Sequence, residues 1–259
     1  MENIQKSGTE RVLILAKALP HLGKRHSELV CCAGVTEEKI WRRQYPVRFR
    51  FMQDEKKFKR WQWVSYEWQV PRKDNRAESR RINEETVRPE KEMKPQHRAS
   101  FLQPLLLATT SEAEERQQSL ALIRPENPVF SWTKKTQEQI KSEQTAYESA
   151  VRQFELDLSG FTEEKKALEP CPYEFYYQYT TRGRSHDHQC LDWETSATFY
   201  NWRRNYGEEK ALTNLKRTFG EEYPEKGMAF VMGTHSHYPK TWLLIGVLRL
   251  DQNEQRSLF

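Results

Sequence analysis

The sequence contains no Gly-x-Ser-x-Gly elbow and no glycine-rich phosphate loop, of either the nucleoside-triphosphate or the dinucleotide type. Serine-elbow hydrolysis, ATP-driven work and dinucleotide chemistry are therefore not expected. Cysteine is scarce. Cys31, Cys32, Cys171 and Cys190 are the only four in 259 residues, too few for a disulfide framework, so a reducing cytoplasm is expected. Long apolar runs are also missing. Residues 242–248 form the longest run near the C-terminus, far short of a bilayer span, and residues 1–10 are polar with no signal core. Neither export nor membrane anchoring is expected.

Charge of one sign is present in an unusual place. Residues 41–81 hold 13 Lys and Arg against 5 Asp and Glu, a local charge of +8. The whole chain is only +5, so everything outside this window sums to −3. Trp41, Trp61, Trp63 and Trp68 lie in the same stretch. Lys and Arg displace condensed counterions from phosphates, and flat aromatic faces stack bases, so this combination points to a nucleic-acid partner, DNA or RNA. On this reading Arg42, Arg43, Arg48, Arg50, Lys56, Lys57, Lys59 and Arg60 contact phosphates, and Trp61 or Trp63 stacks. The competing reading is a solvated charged face above buried tryptophans. At least one indole must be core, since a strand of this kind needs a buried face.

Patterning gives the elements. Residues 11–17 and 29–35 are apolar enough for buried strands, with Gly34 marking a bulge or a close backbone approach. Residues 40–45 suit a third strand stopped by Pro46, and 54–60 a short charged helical turn. Residues 61–70 alternate, with Trp61, Trp63, Ser65 and Glu67 on one face and Gln62, Val64, Tyr66 and Trp68 on the other. Short strands at this spacing suggest a small barrel. Residues 18–28 suit a polar loop carrying His21, Gly23 and His26, 71–95 an extended connection, and 101–109 a short helix broken by Pro104. A buried strand is expected at 119–124. The clearest helix spans 133–158, with Ile140, Tyr147, Val151, Phe154 and Leu158 at helical spacing. Beyond it come a strand at 173–181, helices at 191–206 and 208–222, and strands at 228–232 and 242–250.

The expected fold class is α+β. It comprises an OB-like basic β-barrel over residues 1–95, a helical connector with one strand over 96–168, and an α+β domain over 169–259.

A second constellation is chemical. His186, His188, Asp192 and Glu194 fall between a strand and a helix, and His235, His237 and Lys240 fall in a turn between two strands. Carboxylates and histidines can hold Mg²⁺ or Mn²⁺ for phosphodiester hydrolysis, and Lys240 could stabilise the developing charge. A nuclease using His186, Asp192, Glu194 and His235 as metal ligands, with His237 and Lys240 beside them, is the alternative to a pure binder. The competing reading makes Asp192 a helix N-terminal charge and the histidines turn residues. Cys171, His186, His188 and Cys190 are of the right types for zinc, but the gap is long and no Cys-x-x-Cys knuckle exists, so zinc is not expected. A third reading is a protein–protein adaptor in which the 133–158 helix and the tryptophans dock a larger effector.

The strings Val12–Lys17, Cys32–Val35, Trp41–Val47 and Phe58–Trp61 together resemble a prokaryotic group related to the dual OB-containing proteins of antiviral-defence and mobile-element loci. Residues 119–125 resemble the comparable strand of a second barrel. Ser185-His186, Asp192-Trp193-Glu194 and residues 233–237 are similar to segments of the same relatives. The resemblance implies nucleic-acid association as an accessory component of such a system. It also implies cysteines just before His186, where this chain has Thr180, Thr181 and Arg184, a further argument against zinc.

Overall fold

A computed structural model describes residues 6–20, 28–157 and 167–251. The expected loop residues His21, Gly23 and His26, and the helix position Leu158, lie outside them. Five strands come first: β1 (Ser7–Lys17), β2 (Val30–Val35), β3 (Trp41–Val47), β4 (Gln62–Gln69) and β5 (Ser79–Ile82). They are ordered β1-β2-β3-β5-β4, and β4 pairs back onto β1, which closes the ring. The β3–β5 pairing is parallel and the others are antiparallel. β1 can serve two neighbours because it is 11 residues long: Ser7 to Leu13 pair with β4, and Leu13 to Lys17 pair with β2 across a register shift. A closed five-stranded barrel of this kind is OB-like. β6 (Arg88–Glu92) adds to the outer edge of β4.

All five strands fill the barrel interior. Val12, Ile14, Val30, Cys32, Val47, Val64, Tyr66, Trp68 and Ile82 form one apolar cluster with Phe49, Met52 and Phe58 from the β3–β4 connection. The alternation in residues 61–70 is thus a true strand pattern, with Val64, Tyr66 and Trp68 facing inward. The buried Tyr66 hydroxyl accepts from Gln44 Nε2 at 2.7 Å and donates to Glu10 Oε1 at 3.1 Å, so its burial costs no hydrogen bond.

After the barrel come α1 (Pro95–Leu102), β7 (Leu106–Leu107), α2 (Thr110–Glu115), β8 (Leu120–Ile123), β9 (Glu126–Lys134) and α3 (Gln137–Asp157). β10 (Tyr173–Thr181), β11 (Arg184–Gln189), α4 (Trp193–Tyr206), α5 (Glu208–Arg217), α6 (Tyr223–Lys226), β12 (Met228–Thr234) and β13 (Trp242–Arg249) follow. Two sheets form, one ordered β13-β12-β8-β7 and the other β11-β10-β9. The four-stranded sheet is the middle layer. Leu120, Leu122, Ala229, Val231, Ile245 and Leu248 pack against the outer face of the barrel, on Leu13, Leu15, Val35, Trp41, Trp61 and Trp63. Ala121, Ile123, Phe230, Met232, Leu244 and Val247 point the other way, onto Phe130, Phe175, Tyr177, Phe199, Leu215 and Phe219. Burial on both faces is why β8, β12 and β13 are continuous apolar runs rather than alternating ones.

Several expectations need correction. Residues 71–95 are not an unstructured connection but carry β5 and β6. Residues 101–109 split between the end of α1, a tight turn and β7. Thr133 and Lys134 belong to β9, and the long helix starts at Gln137. The strand resembling that of a second barrel sits in the four-stranded sheet. α3 does bury one face: Tyr147, Ala150 and Val151 are covered, and Val151 meets Phe51 of the barrel. Among the described residues no helix is long and apolar enough to cross a membrane.

Gly34 is where two backbones meet. A Cβ there would lie 2.3 Å from the Leu13 carbonyl oxygen. Gly34→Ala is therefore expected to destabilise the protein by about 1–3 kcal/mol through overpacking, read as a lower urea midpoint. An unchanged midpoint would show that β1 can move aside.

Candidate nucleic-acid interface

The cations singled out from the sequence are mostly neutralised within the protein. Arg42 Nε donates to Glu10 Oε2 at 2.7 Å. Arg48 pairs with Glu84 at 2.8 Å, Arg50 with Glu28 at 2.6 Å, Lys57 with Asp54 at 2.6 Å, and Lys56 with Glu85. Arg43 is buried, and its Nη2 donates to the carbonyl of Ser119 at 2.7 Å and to its hydroxyl at 3.1 Å. The same Ser119 donates to the buried Glu78, so this node ties β3 to the start of β8. Lys59 has no carboxylate partner among the described residues. An arginine already saturated by its own carboxylate brings little net charge to a phosphate, so these side chains are structural cations first. Trp61 and Trp63 are buried between the barrel and the middle sheet, with Arg98 and Arg11 covering their rings. They are not stacking platforms.

The acidic and histidine constellation also takes structural roles. Asp192 is wholly buried and accepts from Arg60 Nη2 at 2.5 Å, from Val247 N at 3.0 Å and from Glu194 N at 3.2 Å. It caps α4 and joins the barrel to β13 in one contact. Burial pushes its carboxyl up, against the pull of Arg60. Burial alone lowers the Arg60 guanidinium, but Asp192 and Glu194 outweigh it, so it is held above its ordinary range. Glu194 faces Lys17 at 3.7 Å. His186 stacks on Tyr179 and bonds Thr181 Oγ1 at 2.7 Å through Nε2, and His188 Nδ1 meets the Tyr179 hydroxyl at 3.2 Å. Burial lowers both imidazoles, helped by Arg184 at His186 and by His186 at His188. His235, His237 and Lys240 sit in the β12–β13 turn. Among the described residues no three His, Cys, Asp or Glu side chains gather as a metal would require. The proposed Mg²⁺ or Mn²⁺ cluster of His186, Asp192, Glu194 and His235 is not assembled, because Asp192 is consumed by Arg60.

What the fold does assemble is a groove of about 1030 Å³ at the other end of β3. Its walls are Leu29 before β2, Tyr45 and Pro46 of β3, Arg48, residues 71–74 and 76 of the β4–β5 loop, Arg81 to Glu85, and Ser236 and His237 of the β12–β13 turn. Five basic and three acidic side chains line it, a balance of +2. The acids are spoken for: Asp74 by Arg76, Glu84 by Arg48 and Glu85 by Lys56. Arg72, Lys73 and Arg81 are exposed and hold no carboxylate among the described residues. Tyr45 is half-buried beside them. In OB-like barrels the β2–β3 face and the loops after β1 and β4 form the ligand surface; here the middle sheet covers the outer face of β2 and of β3 as far as Arg43, and the groove takes in the β4–β5 loop and the end of β3.

Arg76 makes the groove rigid. It holds Asp74 through Nε at 2.8 Å and Nη2 at 2.6 Å, and its Nη1 donates to the Thr234 carbonyl at 2.7 Å. One guanidinium thereby locks the β4–β5 loop to the base of the β12–β13 turn. Burial pushes Asp74 up, but the bonds from Arg76 and Ser79 outweigh it, and the carboxyl is held below its ordinary value. A depressed carboxylate contributes stability that is complete above its unfolded pKa of about 3.9 and is lost as pH falls through the folded value. A carboxyl-carbon NMR titration should place the Asp74 midpoint below that figure. A midpoint at or above it would contradict the anchoring role.

A family model described as Domain of unknown function (DUF8757) matches residues 104–259, more than half of the sequence. The chain belongs to that family. A second model, Domain of unknown function (DUF8758), matches residues 8–107, which carry the barrel. The two matches meet at 104–107, where α1 gives way to β7, so the DUF8757 part contributes both sheets beyond the barrel and the turn that lines the groove. No curated protein matches the chain.

The groove residues were present in the sequence but overlooked. Arg72, Lys73 and Arg76 follow Pro71, and a Pro-led polar run between two strands is a loop signal. A basic loop beside a barrel strand could have been preferred over paired cations in the strands themselves.

Proposed function

We propose that the protein binds nucleic acid in the groove between β3, the β4–β5 loop and the β12–β13 turn. Arg72, Lys73 and Arg81 contact phosphates, and Tyr45 offers a ring to a base. One observation carries this reading. The three cations that line the groove without a carboxylate partner lie together around the β4–β5 loop, one of the two loops through which OB-like barrels bind ligands. The sequence resemblance to proteins of antiviral-defence and mobile-element loci supports an accessory role beside a larger effector. Four cysteines free of disulfides fit a reducing cytoplasm. Fluorescence anisotropy of a labelled oligonucleotide against salt tests the core of the proposal. Affinity should fall linearly in log–log form as salt rises, and binding that is absent or indifferent to salt would refute it.

A further inference from the structure

The β12–β13 turn belongs to a different part of the chain from the barrel, yet it forms a wall of the same groove. Its shape is internally fixed. His235 Nδ1 accepts from the backbone N–H of His237 at 3.1 Å and of Tyr238 at 3.2 Å, which requires that nitrogen to carry no proton. The His235 ring lies 5.1 Å from that of Tyr238 and 5.7 Å from that of His237. The base of the turn is held to the β4–β5 loop by Arg76 on Thr234. The turn is therefore a set of three rings on a braced support. Tyr238 is 67 % exposed, an aromatic that neither core pairs. His237 lines the same groove as Tyr45 of the barrel unit, and Lys240, three residues on, is exposed.

We propose that this turn and Tyr45 form a two-sided aromatic clamp that selects single-stranded over double-stranded nucleic acid. The inference rests on the groove reading above and deepens it. A duplex turns its phosphates outward and keeps its base faces stacked inside, so it can satisfy Arg72, Lys73 and Arg81 but has nothing to offer the rings. A single strand exposes both: its phosphates run along the basic loop while unpaired bases enter between Tyr45 and the His237–Tyr238 side. Stacking of this kind is indifferent to base identity, because every base has a π-face, so weak sequence preference accompanies strong strand preference.

The test uses the full chain, a labelled oligothymidylate and a blunt duplex of the same length, in anisotropy titrations across a salt series. Wild-type protein should bind the single strand about tenfold or more tighter than the duplex. The combined His237→Ala and Tyr238→Ala variant should lose about tenfold on the single strand while keeping the wild-type salt slope and duplex affinity, because no phosphate contact is removed. Tyr238→Phe should keep the wild-type preference, since only the ring is needed. Both residues are exposed, so an unchanged melting curve checks that the fold is intact. Equal affinity of wild-type protein for strand and duplex, or an unchanged single-strand affinity in the alanine variant, overturns the clamp but leaves the basic groove standing. Wild-type protein that binds neither probe overturns both.

Discussion

Asp192→Ala is expected to lower the free energy of unfolding by about 3–5 kcal/mol, the range for removing one partner of a buried ion pair. The size follows from what is left behind. Arg60 has a side chain only 10 % exposed, and without Asp192 it keeps the Val247 carbonyl at 2.6 Å but has only Glu194 as a nearby acidic countercharge. Val247 N–H also loses its acceptor, and α4 loses its cap, worth about 1 kcal/mol by itself. Urea unfolding followed by tryptophan fluorescence reads the change. Replacing both members, Arg60→Met with Asp192→Leu, should recover much of the loss, because a buried pair exchanged for apolar groups of similar volume is often neutral. A loss below about 1 kcal/mol in the single variant would mean that Arg60 finds water or another partner, and that the junction is looser than described.

Replacing Arg72, Lys73 and Arg81 together with alanine is expected to have the largest effect on binding. Each phosphate neutralised on a single strand contributes about −0.7 to the slope of log affinity against log salt, so three lost contacts should flatten the slope by about 2 units. Affinity near 50 mM salt should fall by about 10- to 100-fold, with the difference shrinking as salt rises. The matched control is Lys57→Ala. That lysine holds Asp54, which does not line the groove, and its removal should leave the slope unchanged. The reverse outcome, a flattened slope in the control and none in the groove variant, would return the binding surface to the Lys56–Lys57 turn.

The comparison of sequence with structure has a physical pattern. Strands with a buried face were legible: the alternation around Val64, Tyr66 and Trp68, the apolar runs of β8, β12 and β13, and the whole of β10. So was the helix cap at Asp192. The strands that escaped are short, charged or at sheet edges. β5 is Ser-Arg-Arg-Ile, β6 holds four charged residues and a proline, and β9 and β11 flank β10 with much of their length exposed. Such segments are strands because a neighbour supplies hydrogen bonds, whether it is distant in the chain, as β10 is for β9, or just across a tight turn, as β10 is for β11.

The site was less legible for a related reason. Local charge counting found an excess of cations, but their neutralising partners come from Glu10, Glu28, Glu84, Glu85 and Asp192, up to 132 residues away. Only the folded chain decides which cations remain unpaired. The tryptophans were misassigned on the same grounds. The outer face of a barrel strand looks solvent-facing until another element covers it, as α1 does with Arg98 over Trp61 and Phe101 against Trp63.

Photocross-linking gives the most direct measurement. A single strand carrying 5-bromouracil at each position is irradiated with the full-length protein, and adducts are mapped by mass spectrometry. Adducts should fall on Tyr45, on residues 71–76 and on His237 or Tyr238. Adducts confined to residues 50–60, or spread without preference over the surface, would show that the groove is not where nucleic acid binds.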